Sequence, residues 1–354
     1  MIKHPFILST KTYSQILIGF CALLTGIFWG MSIYLEPIEG DLTRVGGLSE
    51  NSFGWTKSQP ALAAELLNNS PLAEADVAVI GDSFSATFVW QTKLVEAGFK
   101  VNTAYNIDVP WCSDLGDLLR QSGFTGKYVV IESVERLFQH NLNNQCQKSP
   151  AYKTLKIGLA VAPPINRPTK HSILDSGTNF GVGWNLKAFF YDLYLSAKAA
   201  YPRPELIPID KVRLYNLGDC RLFSNKLCQI SLFWSEDFST ESFRSLDRVL
   251  EINKNFEKNG IRAIWVVVPD KSTVYMDYGA FRNNPYVNIW HEFGKYPELN
   301  SLNYGEIFKH QAQTTQDFYL PNNSHLGTTG YLFLGDLVLS KIKHLTDHKS
   351  SEDL

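Results

Sequence analysis

Three short apolar runs, closed or followed by turn-forming residues, constrain this chain most. They are Val77-Ala78-Val79-Ile80-Gly81, Tyr128-Val129-Val130-Ile131 and residues 261–268. Apolar runs this short predict strands covered on both faces, as in a parallel sheet. Residues 101–107 supply a further strand. Between and after the strands lie helical segments: 86–97 ending at Gly98, 115–122, 241–259 and 328–343. In 241–259, Phe243, Leu246, Val249, Leu250 and Phe256 fall at helical spacing before Gly260. Strands alternating with helices at this spacing predict an α/β fold, a doubly wound, mostly parallel sheet.

The first run stops at a glycine, and Asp82 and Ser83 follow at once. A strand-to-helix turn there lifts the Ser83 hydroxyl above the C-terminal edge of the sheet, where open α/β sheets bind ligands. A serine on such a turn is a candidate nucleophile, although Gly-Asp-Ser is also ordinary turn chemistry. A nucleophilic serine needs a base. His325 lies in Pro321-Asn322-Asn323-Ser324-His325-Leu326-Gly327, a loop directly before the last helix. Such a loop returns to the edge that presents Ser83, so His325 can act first as general base and then as general acid. His140, His171, His291 and His310 lack that setting.

Residues 16–35 carry no charge, and the run is long enough to cross a bilayer. Trp29 and Tyr34 stand near its far end, as interfacial aromatics do. Lys3 and Lys11 precede it; Glu36, Glu39 and Asp41 follow. The positive-inside rule leaves residues 1–15 in the cytoplasm and sends the rest outward. A cleaved signal peptide is the rival reading, but no small-x-small cleavage site follows the run. Of the five cysteines, Cys112, Cys146, Cys220 and Cys228 lie in the exported part. Four cysteines in an oxidising compartment suggest two disulfides, and proximity favours Cys220–Cys228 with Cys112–Cys146. A zinc site is the weaker alternative, since no C-x-x-C occurs and no histidine neighbours them at ligand spacing. The chain has 354 residues and a formal net charge of −2. That balance excludes the strongly basic surface that nucleic acid requires.

Residues 36–70 read as a connector rich in turn formers, with a short helix at 60–68. Residues 71–345 form the main domain, and 346–354 a flexible tail. The rhythm breaks between about 141 and 239, where Pro163-Pro164, Pro202, Pro204 and Pro208 cluster. This stretch reads as an insertion capping the sheet domain, with one helix at 186–199.

The pair Gly81-Asp82-Ser83-Phe84 near the start and His325-Leu326 with Gly330 near the end resembles the SGNH (GDSL-type) hydrolase superfamily. That family's acid stands three residues before the histidine, where this chain has Asn322. An asparagine can orient an imidazole but cannot offset the charge of an imidazolium; Asp317 is an alternative acid. Two further segments resemble those of polysaccharide O-acetyltransferases of the alginate type. One is Glu132-Ser133-Val134-Glu135-Arg136; the other is Pro269-Asp270-Lys271, which continues to Tyr275. The family's oxyanion glycine and asparagine have no counterpart at 106–112 or 132–136. Ser83 N–H, supported by Asp82, remains one donor, and a backbone N–H near Trp111 or Cys112 or the Arg136 guanidinium is another candidate. Glu135 is expected beside Arg136, and Lys271 and Tyr275 are candidate substrate-binding residues.

The resemblance implies an inner-membrane, single-pass protein with its catalytic domain in the periplasm. It would transfer an acyl group, most simply acetyl, through Ser83 to a polysaccharide acceptor. A membrane-bound O-acyltransferase partner would deliver the acyl donor, and no cofactor or metal is called for. A periplasmic esterase or deacetylase would use the same residues. A degenerate glycan-binding or scaffold protein is the reading from another class.

Overall fold

The computed structural model describes residues 9–35, 39–143, 182–199, 206–238, 243–276 and 287–352. The apolar run forms helix α1, Thr10–Leu35. Two short helices follow, α2 (Asp41–Gly46) and α3 (Glu50–Phe53). The chain then alternates through β1 (Val77–Gly81), α4 (Thr92–Glu96), β2 (Val101–Tyr105), α5 (Leu115–Gln121), β3 (Tyr128–Val134) and α6 (Glu135–Asn143). Helix α7 (Val182–Ala199) and strands β4 (Leu206–Ile209), β5 (Val212–Asn216) and β6 (Ile230–Trp234) fill the middle. The last part comprises α8 (Asp247–Lys258), β7 (Arg262–Val268), α9 (Lys271–Tyr275), α10 (Ile289–Phe293), α11 (Tyr304–Ala312) and α12 (Thr328–Glu352).

Strands β2-β1-β3-β7 form a four-stranded parallel sheet in that order, so the fold is α/β as the alternation predicts. The path runs outward from β1 to β2, then back past β1 to β3. Right-handed crossovers place the helices of two such connections on opposite faces. Accordingly α4 packs on α12, and α5 packs on α8. The reversal falls between β1 and β3, which opens a crevice at the C-terminal end of β1. Trp111, Phe138, Trp265 and Phe293 build an aromatic cluster within the core, edge-to-face except for the tilted Trp265–Phe293 pair.

Several predicted elements come out differently. The helix expected at 86–97 survives only as α4, because turns occupy 83–91 and Phe88 takes φ 58°, a left-handed conformation that stops a helix. At 60–68 only a 3₁₀ turn, Ala64–Leu66, forms; it buries no residue, and a short helix needs packing to persist. Helix α12 runs on to Glu352, past the start of the expected flexible tail. The middle contains an antiparallel sheet, β4-β5-β6, which the sequence reading did not anticipate. Pro208 lies in β4, an edge strand, where a missing N–H is tolerated.

The connector is not a linker. Leu42, Leu48 and Phe53 share a second core with Leu195, Val212, Leu214, Leu227, Ile230 and Leu232. Residues 41–53 and the inserted sheet therefore bury one apolar surface together. Cys220 and Cys228 are disulfide-bonded, their Cα atoms 4.8 Å apart, in the segment between β5 and β6. Cys112 is disulfide-bonded as well. Its expected partner Cys146, like the Pro163-Pro164 run, lies outside the described residues.

Candidate active site

Strand β1 ends at Gly81, and a side chain there would run into Ser85 and Glu132. Beyond it Asp82 staples the turn. Its Oδ1 accepts the Phe84 N–H at 2.9 Å, and its Oδ2 accepts the Val134 N–H at 2.8 Å from the end of β3. Glu132 closes the turn from beneath, its Oε2 accepting Asp82 N–H at 3.1 Å and the Ser85 hydroxyl at 2.7 Å. Burial first, then the charge of Asp82, pushes the Glu132 carboxyl well above its ordinary range. Ser83 projects from this turn and is half-buried. Its amide has no acceptor among the described residues.

His325 arrives from the loop before α12. A bridge between Tyr319 and Leu326 pinches that loop, and Leu320 N–H donates to His325 O at 3.1 Å. His325 Nε2 stands 2.8 Å from Ser83 Oγ. Asn323 Oδ1 accepts the His325 backbone N–H at 3.0 Å and lies 2.8 Å from Nδ1. The backbone group can only donate, so the facing atom of Asn323 is its oxygen and Nδ1 carries the proton. Nε2 is then the bare nitrogen, and the Ser83 hydroxyl donates to it. That is the tautomer a general base requires. Phe84 packs along the imidazole at 4.8 Å between ring centres.

The carboxylate at this site is Asp41. Its Oδ2 lies 3.6 Å from His325 Nδ1, and it accepts the Ser324 N–H at 2.9 Å and the Ser324 hydroxyl at 2.5 Å. Burial raises the Asp41 carboxyl, but the hydrogen bond and charge of His325 and the bonds from Ser324 together hold it below its usual value. Asn322, in the position of the family's acid, turns the other way. It is fully buried and its Nδ2 donates to Glu50 Oε2 at 2.8 Å. Asn322 O also accepts the Leu42 N–H at 3.1 Å, which ties α2 to the histidine loop. Asp317 is not the acid either, since both its oxygens accept from Ser224 at 2.9 and 2.5 Å.

The remaining expected site residues support the architecture. Lys271 is buried, its Nζ donating to the carbonyls of Leu320, Pro321 and Asn323 at 2.8, 3.0 and 3.4 Å. It thus fills the histidine loop from within instead of facing a substrate. Burial pushes its ammonium down to about 7, against the opposing charges of Asp41, Asp237 and Asp317. Tyr275 is likewise buried, its hydroxyl accepting the Tyr319 N–H at 3.3 Å. Arg136 Nη1 meets Asp270 Oδ1 at 2.5 Å and Asp237 Oδ1 at 3.3 Å. Glu135 Oε2 accepts the Asp270 N–H at 3.1 Å and the Thr273 hydroxyl. The Trp111 ring is core, and the Cys112 N–H is taken by Pro110 O at 2.9 Å. Sequence reading missed Asp41, Asn323 and Ser324. Asn323 and Ser324 stood in the quoted loop, but no spacing rule separates them from Asn322. Asp41 gave no signal, because its partner is distant in the chain.

Comparison of the chain with models of known families, with curated proteins and with solved structures finds no match.

Proposed function

We propose that this chain is a membrane-anchored serine O-acyltransferase that acetylates hydroxyls of a cell-surface or secreted polysaccharide. The observation that carries the reading is the 2.8 Å contact between Ser83 Oγ and His325 Nε2 at the C-terminal end of β1. Ser83 Oγ attacks the carbonyl of the acyl donor while its proton passes to Nε2. The donor's leaving group departs with that proton. A sugar hydroxyl then gives its proton to Nε2 and attacks the acyl-serine, and Ser83 recovers the proton as the ester leaves. The Ser83 amide is placed to donate to the oxyanion, and Asp41 offsets the imidazolium charge.

The serine-first, histidine-last order on a parallel sheet supports the SGNH-like reading. Anchoring is supported by α1, along which Ile16, Leu17, Ile18, Phe20, Leu23 and Ile27 are exposed. The disulfide supports an oxidising compartment, taken here as the periplasm. An acyl donor made in the cytoplasm then has to be passed across the bilayer, the task of a membrane-bound O-acyltransferase partner.

The test incubates the purified full-length protein and Ser83→Ala with a chromogenic acetyl ester, with and without an oligosaccharide acceptor. Acetylated acceptor from the wild type and none from the variant is the expected result. Acetate release unaffected by acceptor would assign the same site to an esterase or deacetylase. No turnover, together with no fluorophosphonate labelling of Ser83, would overturn catalysis and favour a glycan-binding scaffold.

A further inference from the structure

Helix α7 is built inside out. Its buried face holds Asn185, Ala188, Asp192 and Leu195. Its opposite face presents Phe190, Leu193 and Tyr194, which are 62%, 62% and 47% exposed, with Ala197 exposed on the same stripe. These positions follow the i, i+3, i+4, i+7 pattern that marks one face of a helix. A helix in contact with water carries the reverse arrangement, and a large exposed apolar patch marks an interaction surface.

The position of α7 indicates what covers the stripe. It packs against the last turns of α1. Tyr34 donates to Asp192 Oδ2 at 3.0 Å, and its ring meets Phe189 at 6.2 Å between centres. Ser52 also donates to Asp192, which fixes the helix to the connector. The apolar surface of α7 is thus continuous with the end of the exposed apolar helix. Lys198 Nζ lies 5.8 Å from the Tyr194 ring centre, and Lys226 Nζ lies 5.8 Å from that of Tyr34. Aromatic rings with neighbouring ammonium groups suit the boundary between acyl chains and phosphates.

We propose that the Phe190–Leu193–Tyr194 face of α7 is immersed in the lipid leaflet from which α1 emerges, with the lysines at its anionic headgroups. This makes α7 a second contact with the membrane that sets the orientation of the sheet domain on it. The inference rests on the anchoring part of the proposed function and is independent of the acyl transfer.

The experiment uses full-length protein with Cys21→Ser and Leu193→Cys, labelled at 193 with an environment-sensitive nitrobenzoxadiazole dye under non-reducing conditions. The protein is reconstituted in phosphatidylethanolamine–phosphatidylglycerol vesicles. Companion proteins carry the label at Leu23→Cys in α1 and at the exposed, distant Ser122→Cys. A blue shift at 193 relative to 122, with loss of emission to lipids bearing a nitroxide near the glycerol, is expected. Quenching at 193 by aqueous iodide, with the 23 label still quenched by lipid, would overturn the immersion of α7 and leave the anchor standing. A 193 label shielded from both quenchers would also overturn it, by placing protein over the stripe. Failure of the lipid to quench the label at 23 would instead overturn the anchor itself.

Discussion

Asp41 Oδ2 lies 3.6 Å from His325 Nδ1, so the carboxylate beside the imidazole comes from the segment that follows the apolar helix. In the proposed function the sheet domain supplies nucleophile and base, and the connector supplies the negative charge from outside the strand–helix alternation.

Replacing Asp41 by asparagine keeps a side chain of the same shape and removes the charge that offsets an imidazolium. The acylation rate should fall by about 10²–10⁴. Stopped-flow labelling of Ser83 with a fluorophosphonate measures it. A rate equal to wild type would remove Asp41 from the machinery.

The same residue makes a prediction about acid. The folded protein holds the Asp41 carboxyl below its usual value, so it contributes stability above the unfolded pKa of about 3.9. That contribution disappears as pH falls through the folded value. The difference in melting temperature between wild type and Asp41→Asn should therefore be greatest above about pH 4 and close on further acidification. A gap that stays constant into acid would contradict the assignment.

Lys271→Met removes the donor shared by the carbonyls of Leu320, Pro321 and Asn323. Leaving buried acceptors unpaired costs about 1–3 kcal/mol each, so denaturant unfolding should show a loss of at least about 2 kcal/mol. Labelling of Ser83 should slow as well, because the loop that carries His325 loses its filling. Burial sets the Lys271 ammonium at about 7 in the folded chain, against about 10.4 when unfolded. Between those values the unfolded state binds a proton that the folded state lacks, so this group makes stability rise with pH. The rise should be absent from Lys271→Met.

Two substitutions at Glu132 should separate. Its carboxyl, pushed well above the ordinary range by burial, works as an acceptor from Asp82 N–H and the Ser85 hydroxyl. Glutamine offers the same oxygen, so Glu132→Gln should cost less than about 1 kcal/mol and keep the labelling rate. Glu132→Ala leaves both donors unpaired over a cavity and should cost about 2–5 kcal/mol while slowing acylation. Equal losses in the two variants would show that the carboxyl group itself, rather than its volume and accepting oxygen, is required.

The sheet was legible because three of its four strands carry a continuous apolar run, and that signal is local. Ser83 and His325 were legible for the same reason: each stands at the end of a recognisable element. The acid was not. Asn322 occupies the expected position along the chain, but its side chain is claimed by Glu50, and the charge arrives from Asp41. Lys271 read as a candidate substrate-binding residue after a strand, and nothing local shows that three carbonyls surround it. The β4-β5-β6 sheet escaped because its strands are short, Pro208 interrupts one of them, and their core is completed by Leu42 and Phe53 of the connector.

The place of Asp41 has a geometric corollary. Asp41 stands six positions after Leu35, the end of α1. Even a fully extended chain of that length reaches only about 20 Å. On the proposed topology the Ser83 hydroxyl therefore works in a thin shell over the bilayer. Under the proposed function a polymer strand has to be modified as it passes the membrane, because an anchored site cannot follow it outward. Proteolytic cutting between α2 and β1 would not release a soluble working form either, since the freed sheet domain would leave its carboxylate behind.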